Sequence, residues 1–267
     1  MNRLHAFEWE DQPWLPRVFR DYITDHLRFA LEAEEAMEMH RAVAACLKAA
    51  MERLGTREII DLCSGGGGPL LAVQRCLASE MAFPTKVTLT DLYPNLSAFK
   101  RIEAEGNGAV RCLSQSVSVF EVPEELRGIR TLFTALHHFR PADARRILED
   151  AVNKRAGIAV FEPLERTPRI IFLTGLSALI RSFLLTPKVG NLSVERFLLT
   201  YPVPLCPFVI TWDGVVSALR TYSVDELREL TAGPGEGIFS WQIERSEWST
   251  ALGPFPFTSL IGVPETQ

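Results

Sequence analysis

The sequence predicts an α/β fold in which helices cover both faces of a doubly wound, mostly parallel sheet. Short apolar runs of strand character alternate with segments of helical periodicity between residues 55 and 163. The first of these runs ends in an acid, and four consecutive glycines, residues 65–68, follow it. Strands that alternate with helices form a parallel sheet whose ligands lie beyond the carboxyl ends of the strands. The residues that follow each strand are therefore the candidates for function.

The order of the elements can be read along the chain. Strands are predicted at residues 57–62, 86–90, 109–113, 130–134 and 157–161, with helices at 69–79, 95–105 and 141–153 between them. Two further helices, 18–31 and 32–54, precede the first strand. Later come an apolar run at 169–185, a segment at 201–207 whose three prolines argue against a regular helix or central strand, a helix opened by a capping box at residue 223, and final strands at 239–248 and 258–263.

Composition restricts the class of protein. The 267 residues suit one large domain, or one domain with a lid, and 47% apolar with 23% charged residues is an ordinary globular profile. A net charge of −5 does not favour a nucleic-acid backbone as partner. The five cysteines form no CxxC pair, which argues against a zinc cluster and a disulfide framework. We expect free thiols, a cytoplasmic protein, no signal peptide and no membrane-spanning segment.

The glycine run indicates a nucleotide-like ligand. Glycines let the backbone adopt positive φ and let a ligand approach the main chain, and Pro69 suits the first turn of the helix that follows. The free N–H groups at such a helix end attract a carboxylate or phosphate. The dinucleotide fingerprint is not matched, because its third glycine position is Leu70.

Asp61 followed by this glycine loop resembles the first motif of class I S-adenosylmethionine-dependent methyltransferases of the small-molecule type. In that family the loop lies against the methionine part of S-adenosylmethionine, and glycine is common where this chain has Cys63. The resemblance also matches Asp91, at the end of the second predicted strand, to the acid that binds both ribose hydroxyls. It implies these cofactor-binding residues in the first two motifs: Asp61, Cys63, Ser64, Gly65, Gly67, Asp91 and Leu92.

The later motifs depart from the family pattern or are weaker. The third motif lacks the usual adenine-binding acid, so Val117 and Ser118 are its candidates, and Ala135 follows the fourth strand. The turn that contains His137 and His138 resembles the Leu-His-His turn that flanks the reactive methyl group in many small-molecule methyltransferases. Either histidine could deprotonate the acceptor, since the pKa of histidine lies near neutrality. A packing and turn-capping role stays open for both.

Three residues are candidates for contacting the substrate. Glu162 ends the fifth strand, and a structural hydrogen bond is an equal alternative for it. Arg220 meets an anionic group of the substrate or forms a salt bridge with Asp213. Trp14 belongs to an aromatic-rich N-terminal segment.

The resemblance implies a seven-stranded, mostly parallel sheet with the last strand antiparallel, over residues 55–163 and 221–265. The single domain would comprise an N-terminal helical cap at 1–54, a cofactor-binding core at 55–163, a helical insertion at 164–220 and final elements at 221–267. The cap either covers the substrate or packs against one side of the sheet. The insertion would act as a substrate lid, and its apolar run could touch a membrane surface peripherally.

The sequence thus predicts an enzyme that transfers a methyl group from S-adenosylmethionine to a small, apolar acceptor in biosynthesis. Oxygen is favoured over nitrogen or carbon because a histidine base is available, and no metal is implied. Two alternatives remain: an enzyme of this fold with other chemistry, such as decarboxylation or cyclisation, and a non-catalytic binding protein. A homodimer is possible, and the oligomeric state stays open.

Overall fold

The central sheet of this computed structural model has seven strands in the order β3-β2-β1-β4-β5-β7-β6. The structure describes residues 1–32, 37–188, 192–250 and 253–265. The strands are β1 (Glu58–Asp61), β2 (Lys86–Leu89), β3 (Val110–Cys112), β4 (Ile129–Phe133), β5 (Ile158–Glu162), β6 (Phe239–Thr250) and β7 (Gly253–Pro264). The first five are parallel, and β7 runs antiparallel between β5 and β6. This confirms the predicted fold class. The strand order reverses between β1 and β4, which is where ligands of such sheets bind.

Helices cover the sheet, and further helices precede β1 and lie between β5 and β6 in the chain. They are α1 (Arg17–Glu32), α2 (Met37–Leu54), α3 (Leu70–Ser79), α4 (Leu96–Glu105), α5 (Pro141–Asn153), α6 (Pro168–Leu185), α7 (Val194–Thr200), α8 (Leu205–Arg220) and α9 (Val224–Thr231). Residues 33–36, in the first part of the predicted helix 32–54, lie outside the described residues, as do residues 251 and 252 of the predicted final turn.

Two apolar layers hold the helices to the two faces of the sheet. Ile59 and Ile60 are both fully buried, but they belong to different layers because consecutive strand side chains point to opposite faces. The Ile59 layer receives α2 and α3, and the Ile60 layer receives α5 and α9. Burial on both faces explains why β5 is apolar from Ile158 to Phe161 without alternation.

Each of the two N-terminal helices takes one of the two roles considered for the cap. Val43, Leu47 and Met51 of α2 are fully buried in the Ile59 layer, so α2 packs against the sheet. Helix α1 lies beyond the carboxyl ends of the strands, where Thr24 contacts the glycine loop. The cap therefore covers the ligand side with α1 and supports the sheet with α2.

Two of the element boundaries that differ from the predictions lie at prolines. Helix α8 begins at Leu205, so Pro207 lies in a helix, where a first-turn proline costs little because its missing N–H would have no partner. Strand β7 begins at Gly253 rather than near residue 258. Pro254 and Pro256 lie in the part of β7 that pairs only with β6, and a strand with one neighbour tolerates proline.

Helix α6 and the turn after it form an unusually apolar segment. By length and composition alone, Pro168–Lys188 is long and apolar enough to cross a membrane, and 22% of its most apolar window is buried in the protein. Helices α7 and α8 pass the same test only as one unit, with a bend of 68° between them. Core helices of soluble proteins also pass this test, so it does not decide the location of α6.

Candidate functional site

The backbone of the loop from β1 to α3 has positive φ at four positions. Gly65, Gly67 and Gly68 have positive φ values of 50°, 98° and 48°, and Cys63 has φ 56°. Non-glycine residues rarely adopt this left-handed region, so Cys63 lies where a glycine would be free of strain. The loop therefore fits a close approach of a ligand to the main chain.

Asp61 holds this loop from behind. Its carboxylate accepts hydrogen bonds from Ser64 Oγ and Thr131 Oγ1, both at 2.6 Å, and only 3% of the residue is exposed. Burial raises the pKa of Asp61 to about 7, although both hydrogen bonds act to lower it. The structure gives Asp61 a role in fixing the loop, and its contact with the cofactor stays a prediction.

Asp91 joins the loop to the end of β2. Gly65 N–H donates to Asp91 Oδ2 and Tyr93 N–H donates to Asp91 Oδ1, each at 2.8 Å. A carboxylate offers about four acceptor positions, so capacity remains for two hydroxyl groups of a ligand. Asp91 faces the cavity above the loop, as the ribose assignment requires.

This loop cavity has a volume of about 260 Å³ and lies between the glycine loop and α1. Five of the predicted cofactor residues line it: Cys63, Ser64, Gly65, Asp91 and Ala135. The other five do not: Asp61, Gly67, Leu92, Val117 and Ser118. Val117 is buried, and its N–H donates to Asp91 O at 2.9 Å, so it supports the strand end. Ser118 Oγ accepts from Phe120 N–H at 3.3 Å, which is a local turn contact.

A second cavity of similar volume adjoins the first and is mostly apolar. Helices α1, α6 and α8 and the β6–β7 hairpin form its walls, with Ile23, Leu164, Leu185, Ile210 and Phe255 among the lining residues. We call it the apolar cavity. Thr134, which follows β4 with φ 51°, lines both cavities. Strained residues of this kind concentrate at functional sites, where the surrounding structure holds them.

His137 lies in a short 3₁₀ turn, Leu136–His138, and lines the apolar cavity. Its Nδ1 is 2.9 Å from Glu162 Oε2, and its backbone N–H donates to Glu162 Oε1 at 3.2 Å. The carboxylate fixes the tautomer in which Nδ1 carries the proton and Nε2 has a free lone pair. Nε2 is buried and has no hydrogen-bond partner among the described residues. The imidazole is therefore oriented to accept a proton.

His138 has a different environment. Its Nδ1 is 2.8 Å from Asp11 Oδ1 and 3.0 Å from Glu8 Oε2. Burial alone would lower the pKa of His138, but the two carboxylates outweigh burial and raise it well above its usual value. A raised pKa favours the charged imidazolium, so His138 is less suited than His137 to act as a general base.

The three predicted substrate residues line neither cavity. Glu162 orients His137 and is 3% exposed. Arg220 pairs with Glu8 and Asp11, with Nη1 at 3.1 Å and 2.6 Å, so the predicted pairing with Asp213 is wrong. Trp14 is 61% exposed and makes an edge contact with the ring of Trp9.

Two acids that line the cavities, Asp213 and Glu10, were not among the predicted site residues. Asp213 accepts hydrogen bonds from the N–H groups of Trp9 and Glu10 at 2.8 Å and 3.0 Å, and it lines the apolar cavity. Burial raises the pKa of Asp213 to about 7 and also raises the pKa of Glu10, which lines both cavities. The cluster of polar residues around Asp213 in the sequence could have identified it as a site residue. Nothing local marked Glu10, because its place depends on contacts with α8.

Glu8, His137 and His138 have ligand atoms within 4.8 Å of one another, which is a spacing that could hold a metal ion. Arg220 already lies 3.1 Å from the Glu8 carboxylate, and His138 is itself charged. These two cations repel a third and balance the nearby acids. The cluster is therefore explained as an ion-pair network without a metal.

Comparison with known proteins supports the fold. No protein-family model matches the chain, and no curated protein is similar to it in sequence. Among solved structures, the methyltransferase domain of bacterial CtHen1 is 13% identical with a TM-score of 0.51, over 87% of this chain and all of that one. A putative O-methyltransferase from Nostoc punctiforme is 14% identical (TM-score 0.49) over 94% of this chain and 62% of that one. LepI, in complex with S-adenosylmethionine, is 14% identical (TM-score 0.43) over 79% and 43%.

The chain spans the whole of the first of these structures but less than two thirds of the other two. Together with the strand order, the first similarity shows that the chain has the class I S-adenosylmethionine-dependent methyltransferase fold.

Proposed function

We propose that the protein transfers a methyl group from S-adenosylmethionine to a small, largely apolar acceptor. The observation that carries this proposal is the meeting of two cavities at Thr134. One contains the glycine loop and Asp91, and the other contains His137. Methyl transfer needs the acceptor and the sulfonium in line on either side of the methyl group, so two adjoining cavities of different polarity suit it.

The residues of the loop cavity fit S-adenosylmethionine. Asp91 keeps acceptor capacity for the two ribose hydroxyls, and the glycine backbone allows close approach of the methionine part. Arg20 and Arg28 of α1 line the opposite wall and supply positive charge for a carboxylate. The bound cofactor would supply an electrophilic methyl group, and the chain would supply orientation and exclusion of water.

His137 is the proposed general base. Its Nε2 would accept the proton of an acceptor hydroxyl as the hydroxyl oxygen bonds to the methyl carbon and the bond from that carbon to sulfur breaks. Glu162, hydrogen-bonded to Nδ1, would stabilise the imidazolium that results. This pair favours oxygen as the acceptor atom. His138 would instead keep the N-terminal residues in place through Asp11 and Glu8.

The walls of the apolar cavity indicate the class of acceptor. Most of the lining surface is apolar, although polar side chains also line it, including His137 and Asp213 as well as Thr174, Ser177 and Arg181 of α6. We infer a mainly hydrocarbon acceptor whose hydroxyl group lies near His137, as expected of a biosynthetic intermediate. The described cysteines all carry free thiols, which supports a location in the reducing cytoplasm.

Calorimetry with S-adenosylmethionine and its demethylated product tests the cofactor, and transfer of an isotopically labelled methyl group to apolar hydroxyl compounds tests the reaction. We expect His137→Gln to lower kcat by about 10²–10⁴-fold while leaving cofactor affinity unchanged. Glu236→Gln, at an exposed turn residue far from the proposed base in sequence, is the control. Absence of cofactor binding would overturn the proposal, and binding without methyl transfer would favour other chemistry or a binding protein.

A further inference from the structure

The exposed apolar side chains of the molecule are concentrated on α6, α7 and α8. Of the 23 large apolar side chains that are exposed among the described residues, 14 lie between residues 172 and 212. Phe172 and Leu184 of α6 are each about two-thirds exposed, at 66% and 67%. We call these 14 side chains the apolar face: Phe172, Leu176, Leu179, Ile180, Leu184, Leu192, Val194, Phe197, Leu198, Tyr201, Val203, Leu205, Phe208 and Trp212.

The helices of the apolar face are joined to one another. Tyr201, at the end of α7, donates from its hydroxyl to Phe183 O of α6 at 2.9 Å. Helices α6 and α8 approach closely at Gly175, where an added Cβ would lie 2.9 Å from Val215 Cγ2. The face is thus a preformed surface rather than a set of separate side chains, and exposed apolar surface of this kind usually marks an interaction site.

The charge around the apolar face has the opposite sign to that of the whole chain. Residues 166–194 contain four basic residues and no acidic one, and residues 197–212 contain no charged residue. The chain as a whole carries a net charge of −5. Arg169 and Lys188 are the exposed basic residues beside the apolar face, whereas Arg166 pairs with Glu226 and Arg181 lines the apolar cavity. Glu195 is the only acid in residues 166–212. Apolar, aromatic and basic side chains together are the composition of membrane-interface segments.

We propose that the apolar face docks the protein onto a membrane surface that contains anionic lipids, with α6 lying in the plane of the interface. The helix is not placed across the membrane, because its other side lines the apolar cavity with Thr174, Ser177 and Arg181. A second copy of the chain is the less suitable occupant, since pairing two apolar faces would bring two sets of like charges together.

Docking would also bring a lipid-soluble acceptor close to the apolar cavity, a step that rests on the proposed function. The exposed stripe and the cavity-lining stripe occupy opposite sides of α6, so one helix diameter, about 10–12 Å, separates the lipid from the apolar cavity. An acceptor that partitions into lipid would then be close to the cavity. The docking itself does not depend on this step.

Co-sedimentation of the full chain with vesicles tests the docking without any cofactor. We expect partition onto vesicles of phosphatidylcholine mixed with phosphatidylglycerol, and weaker partition onto phosphatidylcholine alone or at high salt. The double variant Phe172→Gln with Leu184→Gln should bind roughly tenfold or more weakly. Ile238→Gln is the control, because Ile238 is 44% exposed outside the apolar face, and its partition should not change.

Several results would overturn the docking: no partition of the unaltered protein, equal loss in the control variant, or a lipid-free dimer that the double variant dissociates. Circular dichroism verifies that the double variant is folded, as expected for exposed positions. Because partition is measured without S-adenosylmethionine, its result can be interpreted even if the protein is not a methyltransferase.

Discussion

At the residue scale, Cys63 shows how the loop tolerates a side chain at a glycine position. Its φ of 56° lies in the left-handed region, which costs a non-glycine residue about 1–2 kcal/mol. Glycine would remove that cost but lose about 0.5–1 kcal/mol through its greater freedom in the unfolded chain. The two effects nearly cancel, so the loop keeps its shape with cysteine.

We therefore expect Cys63→Gly to change the free energy of unfolding by less than about 1 kcal/mol. Cys63→Val should destabilise the protein by about 1–3 kcal/mol, because a β-branched side chain fits this region poorly. Urea unfolding of the two variants checks the difference. Equal destabilisation by glycine and valine would show that the thiol, rather than the backbone, matters at this position.

Asp91 has two roles that one substitution would remove together. Its carboxylate fixes Gly65 and Tyr93 through their N–H groups, and it is the proposed ribose acceptor. Asp91→Ala should weaken binding of S-adenosylmethionine by about 1–3 kcal/mol, the range for hydrogen bonds to a charged group. Calorimetry measures this loss, with exposed Asp225→Ala of α9 as a control that should bind normally. Unchanged affinity in a folded Asp91→Ala protein would reject the ribose assignment.

The residues of the loop could be predicted from sequence because their roles are local. Cys63, Ser64, Gly65 and Asp91 lie within a few positions of a strand end, and strand ends are recognisable. The role of Arg220 could not be predicted, because its partners Glu8 and Asp11 are more than 200 positions away. Charge alone made it a candidate for substrate, and only tertiary contacts show that it serves the N-terminal segment.

At the element scale, the N-terminal segment is held across α8 and the 3₁₀ turn by buried polar contacts. Arg3 Nη2 donates to the carbonyl oxygens of His137 and Phe139 at 3.0 Å and 2.9 Å. Asp213 receives two N–H groups of the same segment, and His138 binds its two acids. Residues 3–11 therefore act as a strap that closes one side of both cavities.

The ion pairs of the strap should stabilise the protein only within a limited range of pH. His138 has a raised pKa in the folded protein, so its contribution is complete below the unfolded pKa of about 6.5 and is lost as the pH rises through the folded value. The charge cluster lowers the pKa of Asp11 to about 2, although burial opposes this, so its contribution exists above the unfolded pKa and is lost as the pH falls towards 2.

Consequently, His138→Gln should destabilise the protein most between about pH 4 and pH 6.5, by about 1.5–3 kcal/mol, because it removes one charged hydrogen-bond partner of Glu8 and Asp11 and leaves them paired with Arg220. The difference from the unaltered protein should shrink above and below that range. Urea unfolding across pH measures it, and a difference that does not vary with pH would mean that His138 contributes by packing alone.

At the scale of the whole molecule, the sheet and the additions to it make different parts of the site. Strand ends of the sheet supply the loop cavity, whereas the strap, α1, α6 and α8 supply most of the apolar cavity. The sheet was predictable because the period of its apolar residues is local. The apolar cavity was not, since it depends on how residues 1–32 and 168–220 pack together. Helix α1, the strap and the 3₁₀ turn each line both cavities.

The contact between α1 and the glycine loop should couple α1 to cofactor binding. A Cβ added to Gly66 would overlap Thr24 Cγ2 of α1, so Gly66→Ala must displace the helix, the loop or the Thr24 side chain. Gly66 does not have positive φ, and the backbone itself accepts alanine there. Overpacking of this kind costs about 1–3 kcal/mol. We expect Gly66→Ala to weaken binding of S-adenosylmethionine and to lower the thermal midpoint.

Thr24→Ser provides the matched test of this coupling. Serine lacks the methyl group that Gly66→Ala would meet, yet it keeps the hydroxyl that donates to Arg20 O at 2.9 Å. Thr24→Ser alone should have little effect, and combined with Gly66→Ala it should restore most of the lost affinity and midpoint. This non-additivity is expected only for residues in contact. If the losses simply add, the effect of Gly66→Ala arises within the loop, and α1 does not control the cofactor side of the site.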